Sequence, residues 1–483
     1  MKLIDALRTE DTLTENGMTT NSSSLNHCVD LFFQIGAMRG QDKNRLISVF
    51  TKAYGENPLV AMKLLFWSRD VRGGAGERQI FKDIITHMVK VHKESIFKNI
   101  HLISEFGRWD DILTLIGTPL ESCALETIVT GLNDDKTKSL VAKWMPRLSV
   151  NDKSKKVQAE KIRKHLKLSP KEYRRLLSGL SNTVEQAMCS KNWNSIEYSK
   201  LPSKAMADYM KAFNKNDSER FQAYITALKK GETKINAGAV YPYDIIKSLK
   251  NSGVEEGANA QWNALPNYME GNTERVFPVC DVSSSMTCSA GGNENLSCMD
   301  ICISLGLYIS ERNVGPFQDA FITFNNNPTF EVLKGSLYDR YSQLRHANWG
   351  GSTSIENTFK VLLSQAVKHN VEPDEMPTMI IILSDMEFNV IEGNRRGSNW
   401  NPTAIQMITE MYTENGYAMP KLAFWNLNAR NDNFPVKHDE KNTVLISGFS
   451  PSILTNLLAG KDLTPEAMML SVVNSERYSL ITI

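Results

Sequence analysis

Asp281, Ser283 and Ser285 are the residues of this chain best spaced for chemistry, within Phe277-Pro278-Val279-Cys280-Asp281-Val282-Ser283-Ser284-Ser285-Met286. The run reads as a buried strand that ends at Asp281 and opens onto two hydroxyls, a D-x-S-x-S arrangement. Such a loop gathers one carboxylate and two hydroxyl oxygens around a point at the carboxyl end of a strand. That is the edge of an α/β sheet where ligands bind. Hard oxygen ligands of this kind suit Mg²⁺ or Mn²⁺. Taken alone, the same residues also describe a turn closed by an Asx hydrogen bond.

Two later segments supply matching groups. His346-Ala347-Asn348-Trp349-Gly350-Gly351-Ser352-Thr353 is a glycine turn that delivers Thr353 just before a helix starting near Ile355. Pro377-Thr378-Met379-Ile380-Ile381-Ile382-Leu383-Ser384-Asp385 is an apolar run of the kind buried on both faces of a sheet, ending in a carboxylate. Two strand ends and one loop thus offer Asp281, Ser283, Ser285, Thr353 and Asp385. A catalytic metal would need a base or nucleophile beside it. His346 is the candidate in these segments, against a loop histidine.

In order and content the three segments resemble the metal-ion-dependent adhesion site of von Willebrand factor A domains. The resemblance implies that Ser283 and Ser285 coordinate Mg²⁺ directly and Thr353 directly or through a water. It implies that Asp281 and Asp385 act through waters and hydrogen bonds, and that the remaining position takes a carboxylate from a protein partner.

The elements that must hold these groups follow from length and periodicity. At 483 residues the chain exceeds one ordinary core, which predicts two domains. A hydrophobic content of 41% and a charged content of 23% describe a soluble globular protein. A net charge of +1 excludes a uniformly basic coat, so any nucleic-acid contact must come from a local patch. No run approaches the ~20 apolar residues of a membrane helix. The start, Met1-Lys2-Leu3-Ile4-Asp5-Ala6-Leu7-Arg8, lacks the apolar core of a signal peptide. Seven scattered cysteines without C-x-x-C spacing fit reduced thiols in the cytoplasm.

The expected fold class is multidomain α + α/β. Residues 1–24 read as an N-terminal extension and 25–250 as an all-α domain of stacked, HEAT-like helical pairs. Ile80, Phe81, Ile84, Ile85, Met88 and Val89 mark one such helical face, and Met206, Tyr209, Met210 and Phe213 another. No clean sequence repeat is present. Ser169-Pro170-Lys171-Glu172 has the form of a capping box. Residues 251–273, richer in Gly, Asn and Ala, read as a linker. In 274–461 strands and helices alternate, predicting a doubly wound, Rossmann-like sheet. Its strands are expected at Val276–Asp281, Ala320–Phe324, Met379–Ser384, Lys421–Asn426 and Thr443–Ser447. Helices are expected near 297–311, 354–368 and 402–415, and a tail at 462–483 packs back onto the helical region.

The helical half carries a second kind of motif. From Asp152 to Arg175, ten cations face three carboxylates. Lys153, Lys156, Arg163, Lys164, Lys167, Lys171, Arg174 and Arg175 are the candidates for phosphate contacts there. Spacings of three, four and seven put much of this charge on one side, where it can attract phosphates and release counterions. A solvated helix face, or docking on an acidic protein surface, would use the same residues. Arg69-Asp70-Val71-Arg72-Gly73-Gly74-Ala75-Gly76-Glu77-Arg78 lacks the Lys-Ser/Thr pair of a phosphate-binding P-loop. It reads as a tight connection between helices, with Arg69 and Arg72 tied to carboxylates. Gly107-Arg108-Trp109-Asp110-Asp111 reads as a turn with Asp110 capping a helix. Arg72, Arg78 and Arg108 stay candidates for phosphate.

These motifs, together with Y-S-K-L-P-S-K-A, K-I-N-A, Y-P-Y-D and Ser384-Asp385-Met386-Glu387-Phe388, resemble a family in which a helical region precedes a von Willebrand A domain. The architecture is similar to the Ro/TROVE proteins, which bind small noncoding and misfolded RNAs. The resemblance implies a non-catalytic, cytoplasmic ribonucleoprotein scaffold that binds RNA (small noncoding or structured) and, through Mg²⁺ or Mn²⁺, a protein carboxylate. The alternative is a protein-binding scaffold without RNA.

Overall fold

The computed structural model describes residues 11–249, 255–290, 296–324, 327–347, 353–390, 401–460 and 463–483. Residues 27–263 are built mainly of helices. The helix Arg78–Val91 shows why: Ile80, Phe81, Ile84, Ile85, Met88 and Val89 recur at helical spacing, and all six are buried. Caps close the ends. Ser169 accepts from Glu172 N while the Glu172 carboxylate takes Ser169 N, starting the helix Pro170–Leu180. At Gly107–Asp111 it is Asp111, not Asp110, that accepts the Arg108 backbone N–H, at 2.9 Å. Residues 255–263, inside the segment read as a linker, form a helix whose Trp262 is fully buried.

The C-terminal sheet has six strands: β3 Val276–Asp281, β4 Ala320–Phe324, β5 Phe330–Val332, β6 Met379–Ser384, β7 Lys421–Asn426 and β8 Thr443–Ser447. Their order is β5-β4-β3-β6-β7-β8, all parallel except the β4–β5 pair. Every residue of β3, β4, β6 and β8 is buried, so both faces of the sheet are covered. The chain winds outward in one direction from β3 and in the other from β6. The crevice at their carboxyl ends is therefore a topological switch point. The layout is α followed by α/β.

Helices and sheet share one apolar core. The helix His27–Ile35 is buried along Cys28–Ile35, because it lies between its helical neighbours and β8. Ser447 Oγ donates to Phe32 O at 2.6 Å and accepts from Gly36 N at 3.1 Å. Gly36 is required by this approach, since a Cβ there would stand 2.8 Å from the Ser447 and Gly448 backbone. A second, smaller core of Ile196, Tyr198, Met206, Met210, Phe213, Phe221 and Ile225 lies under the helices Ser203–Asn216 and Ser218–Lys229.

Both ends of the chain reach across. A hairpin of β1 Asp11–Leu13 and β2 Thr19–Asn21 lies along the carboxyl edge of the sheet. There Thr14 Oγ1 donates to Phe388 O at 2.6 Å and Asn16 Nδ2 to Glu387 O at 2.6 Å. At the other end, the helix Pro465–Val473 packs on β8. Beyond it, Tyr478 donates to the buried Asp70 at 3.0 Å, beside Arg477, which is paired with the same carboxylate. Among the described residues no helix is long and apolar enough to cross a membrane.

Candidate metal centre

Asp281 ends β3 and Ser384 ends β6, and the register that pairs Cys280 with Leu383 sets them side by side. The strand geometry thus puts a carboxylate and a hydroxyl in contact: Ser384 Oγ donates to Asp281 Oδ2 at 2.6 Å. The other Asp281 oxygen accepts from Ser283 N at 2.9 Å, curling the loop so that Ser283 Oγ and Ser285 Oγ stand 2.9 Å apart. Asp281 and Ser283 are buried, and Ser285 is half-buried.

The next residue after β6, Asp385, is buried as well and hydrogen-bonds Ser285. Its turn is held by Glu387 N on Asp385 Oδ1 at 3.3 Å and by Met386 N on Ser384 Oγ at 3.0 Å. Met386 adopts φ +66°, a left-handed conformation costly for a non-glycine residue, while its side chain is buried. Thr353 is buried and joins this turn through Asn389, accepting from Asn389 N at 2.9 Å and donating its N–H to Asn389 Oδ1 at 3.2 Å. Residues 348–352, with Gly350 and Gly351, lie outside the described residues.

The two buried carboxylates are electrostatically unfavourable in their ionised forms. Burial and the neighbouring Asp385 charge push the Asp281 carboxyl well above the usual carboxylate range, against the hydrogen bonds from Ser384 and Ser283. Burial also raises Asp385, although Arg430 opposes it. Two buried carboxylates beside two hydroxyls fit a hard divalent ion, which would favour their ionised forms. Among the described residues no three His, Cys, Asp or Glu side chains form a metal cage, so an ion here would depend on hydroxyl ligands.

Two neighbours, Arg430 and Glu15, carry no sequence signal of their own. Arg430, in the loop after β7, donates Nη2 to Asp385 Oδ2 at 2.8 Å and lies 3.4 Å from Glu15 of the hairpin loop. Glu387 accepts from Glu15 N at 2.7 Å and from Asn431 and Asn433, each at 2.8 Å. His346 is exposed and turned back on its own helix, with Nδ1 2.8 Å from Ser342 O.

The basic segment folds as the helices Lys153–His165 and Pro170–Leu180. Lys153, Lys156, Lys164, Lys167, Lys171, Arg174 and Arg175 are exposed, and among the described residues none makes a salt bridge. Arg163 is paired with Glu160 at 2.7 Å and donates to Leu168 O. Arg78 and Arg108 both pair with Asp110, and Arg78 also with Asp111 at 3.2 Å. Arg72 is exposed, and among the described residues its side chain makes no salt bridge, against the carboxylate contact expected for it; its backbone N donates to Asp70 at 3.0 Å. Arg69 is tied to a carboxylate as expected, that of Asp111, at 2.7 Å. Arg72 and Arg108 line a cavity of about 850 Å³, where the Arg108 guanidinium stacks 3.8 Å over Trp144.

Fold and site define an α + α/β protein with an oxygen-rich crevice at the switch point of its sheet. Residues 14–139 and 122–273 match the family described as Domain of unknown function (DUF2828), and the chain belongs to that family. Residues 276–478 match a second Domain of unknown function, DUF7788. The chain is also similar to Uncharacterized protein L728 of Acanthamoeba polyphaga mimivirus. The two are 29% identical over 511 residues, which cover 95% of this chain and 86% of that protein.

Proposed function

We propose that the chain is a non-catalytic, cytoplasmic RNA-binding scaffold of Ro-like organisation, whose von Willebrand A-like half holds a protein partner's carboxylate through Mg²⁺ or Mn²⁺. The likeness to von Willebrand A domains rests on the motifs and on the geometry of the crevice, and the likeness to Ro proteins on architecture, a helical region before such a domain. In this reading Ser283 and Ser285 hold the ion directly, Thr353 directly or through a water, and Asp281 and Asp385 through hydrogen bonds and charge. The ion supplies a Lewis-acidic position for an outside oxygen.

The observation that supports RNA is the unpaired charge on the helices Lys153–His165 and Pro170–Leu180. Lys164, Lys167, Lys171 and Arg174 are exposed without a salt bridge among the described residues, although the chain is balanced near +1. Uncompensated cations on one helical pair attract a polyanion, and phosphate contacts release counterions. Arg78 and Arg108 are neutralised in part by Asp110, so they add less.

The test is retention of structured or single-stranded RNA at several salt concentrations. Affinity should fall steeply with salt, with roughly 0.7 of log–log slope per phosphate contact for a single strand. Replacing Lys164, Lys167, Lys171 and Arg174 with Glu should cost more than about tenfold, while Ser283→Ala with Ser285→Ala should leave RNA affinity unchanged. A wild type that retains no RNA at low salt leaves the protein-binding scaffold as the function.

A further inference from the structure

Cys288 and Cys298 face each other across a short antiparallel pairing. Ser289 is bridged to Ser297, Cys298 N donates to Cys288 O at 3.1 Å, and Ala290 N donates to Leu296 O at 2.7 Å. Directly opposed residues of an antiparallel pair have Cα atoms about 4.5–5.5 Å apart, inside the span of a disulfide. The two sulfurs are 3.6 Å apart. Bond formation therefore needs a side-chain adjustment of about 1.5 Å and no rearrangement of the backbone.

The surroundings of the two thiols differ. Cys288 is half-buried, and its sulfur accepts from Asn428 Nδ2 at 3.2 Å. Cys298 is buried, with its sulfhydryl 3.7 Å from Leu427 O. A small oxidant reaches Cys288 first and leaves Cys298 in place to resolve the product. Cys280 and Cys302 also hydrogen-bond each other, but both are completely buried, which shields them from oxidant.

We propose that Cys288 and Cys298 are an oxidation site, a dithiol that closes reversibly into an intrachain disulfide beside the loop carrying Ser283 and Ser285. With hydrogen peroxide as oxidant, the Cys288 sulfur attacks one peroxide oxygen and the O–O bond breaks. Cys288 becomes a sulfenic acid and the departing hydroxide leaves as water. The Cys298 sulfur then displaces the sulfenic hydroxyl, which leaves as a second water with the Cys298 proton. Two thiols lose two electrons and one peroxide gains them.

The bond would tie two functional pieces together. Cys288 N donates to Ser285 O at 3.3 Å, so Cys288 belongs to the turn that ends the D-x-S-x-S loop. Cys298 is the first residue of the helix Cys298–Arg312, after the N-cap Ser297. Oxidation would fasten that loop to the helix start. The thiol chemistry itself does not depend on the metal reading.

The full-length protein is treated with hydrogen peroxide, unfolded in alkylating agent, and digested unreduced with trypsin and a protease cutting before Asp. The peptide 281–299 then contains Cys288 and Cys298 as its only cysteines. The expected product has lost two hydrogens, about 2 Da, takes up no alkyl groups, and regains both thiols with dithiothreitol. In Cys298→Ser, Cys288 should stop at a sulfenic acid that dimedone traps. In Cys288→Ser, at the half-buried position, Cys298 should stay reduced. A wild-type peptide that remains fully alkylated overturns the proposal. So does one that gains oxygen without losing two hydrogens, or oxidation of Cys298 in Cys288→Ser.

Discussion

The hydroxyl of Ser384 donates a 2.6 Å hydrogen bond to Asp281 across the β3–β6 junction, one residue before Asp385. The contact joins the two strand ends whose carboxylates flank the crevice. In the proposed metal site, Ser384 would be a positioning residue acting through Asp281.

Metal binding should follow from that arrangement. Calorimetric titration of metal-stripped protein with Mg²⁺ or Mn²⁺ should detect binding that Ser283→Ala with Ser285→Ala abolishes. Ser384→Ala keeps every proposed ligand and loosens Asp281, so it should weaken affinity about 10–100-fold. Identical isotherms for wild type and the double variant would remove the metal site.

Asp111 should dominate the stability of the helical half. It is buried, pairs with the buried Arg69 at 2.7 Å, and also faces Arg78 and Lys82. Asp111→Asn leaves Arg69 buried without its counter-charge and should cost about 3–5 kcal/mol, read as a lower urea midpoint. Burial alone would raise its pKa, but Arg69, the Arg108 N–H and Lys82 outweigh burial and hold it below the usual carboxylate value. A depressed folded value means this contribution is fully present above the unfolded carboxyl pKa of about 3.9. It is lost as pH falls through the lower, folded value. The Asp111→Asn difference should therefore persist at neutral pH and shrink below about pH 4.

Gly36 tests whether helices and sheet fold as one body. Gly36→Ala would press a methyl against the Ser447 and Gly448 backbone at 2.8 Å. Because the atoms it meets are backbone, relief requires moving the helix His27–Ile35 off β8. A loss of about 1–3 kcal/mol is expected, with a single unfolding transition by both near- and far-UV dichroism. A helical transition unaffected by Gly36→Ala would show that the two regions fold independently.

The strands Val276–Asp281, Ala320–Phe324, Met379–Ser384, Lys421–Asn426 and Thr443–Ser447 were legible to the residue, because runs buried on both faces are mainly apolar, with polar residues chiefly at their ends. β5 was not, since Phe330–Val332 is an edge strand of three residues with exposed ends, too short for its alternation to stand out. The Ser169 capping box and the face of the helix Arg78–Val91 were equally plain, both depending on neighbours a few positions away.

Sequence by itself determined what local spacing controls: the periodic faces, the Ser169 capping box, the strand ends at Asp281 and Ser384, and the charge between Lys153 and Arg175. Tertiary structure decided what distant segments do to one another. It placed Arg430 on Asp385, Glu15 beside them, the helix His27–Ile35 over β8, and Glu121 on Lys161 at 2.6 Å. It also set Cys288 opposite Cys298. Apart from the Cys288–Cys298 pair, which a local antiparallel pairing brings together, these contacts join residues tens to hundreds of positions apart with no common spacing along the chain, so no short window of sequence contains them.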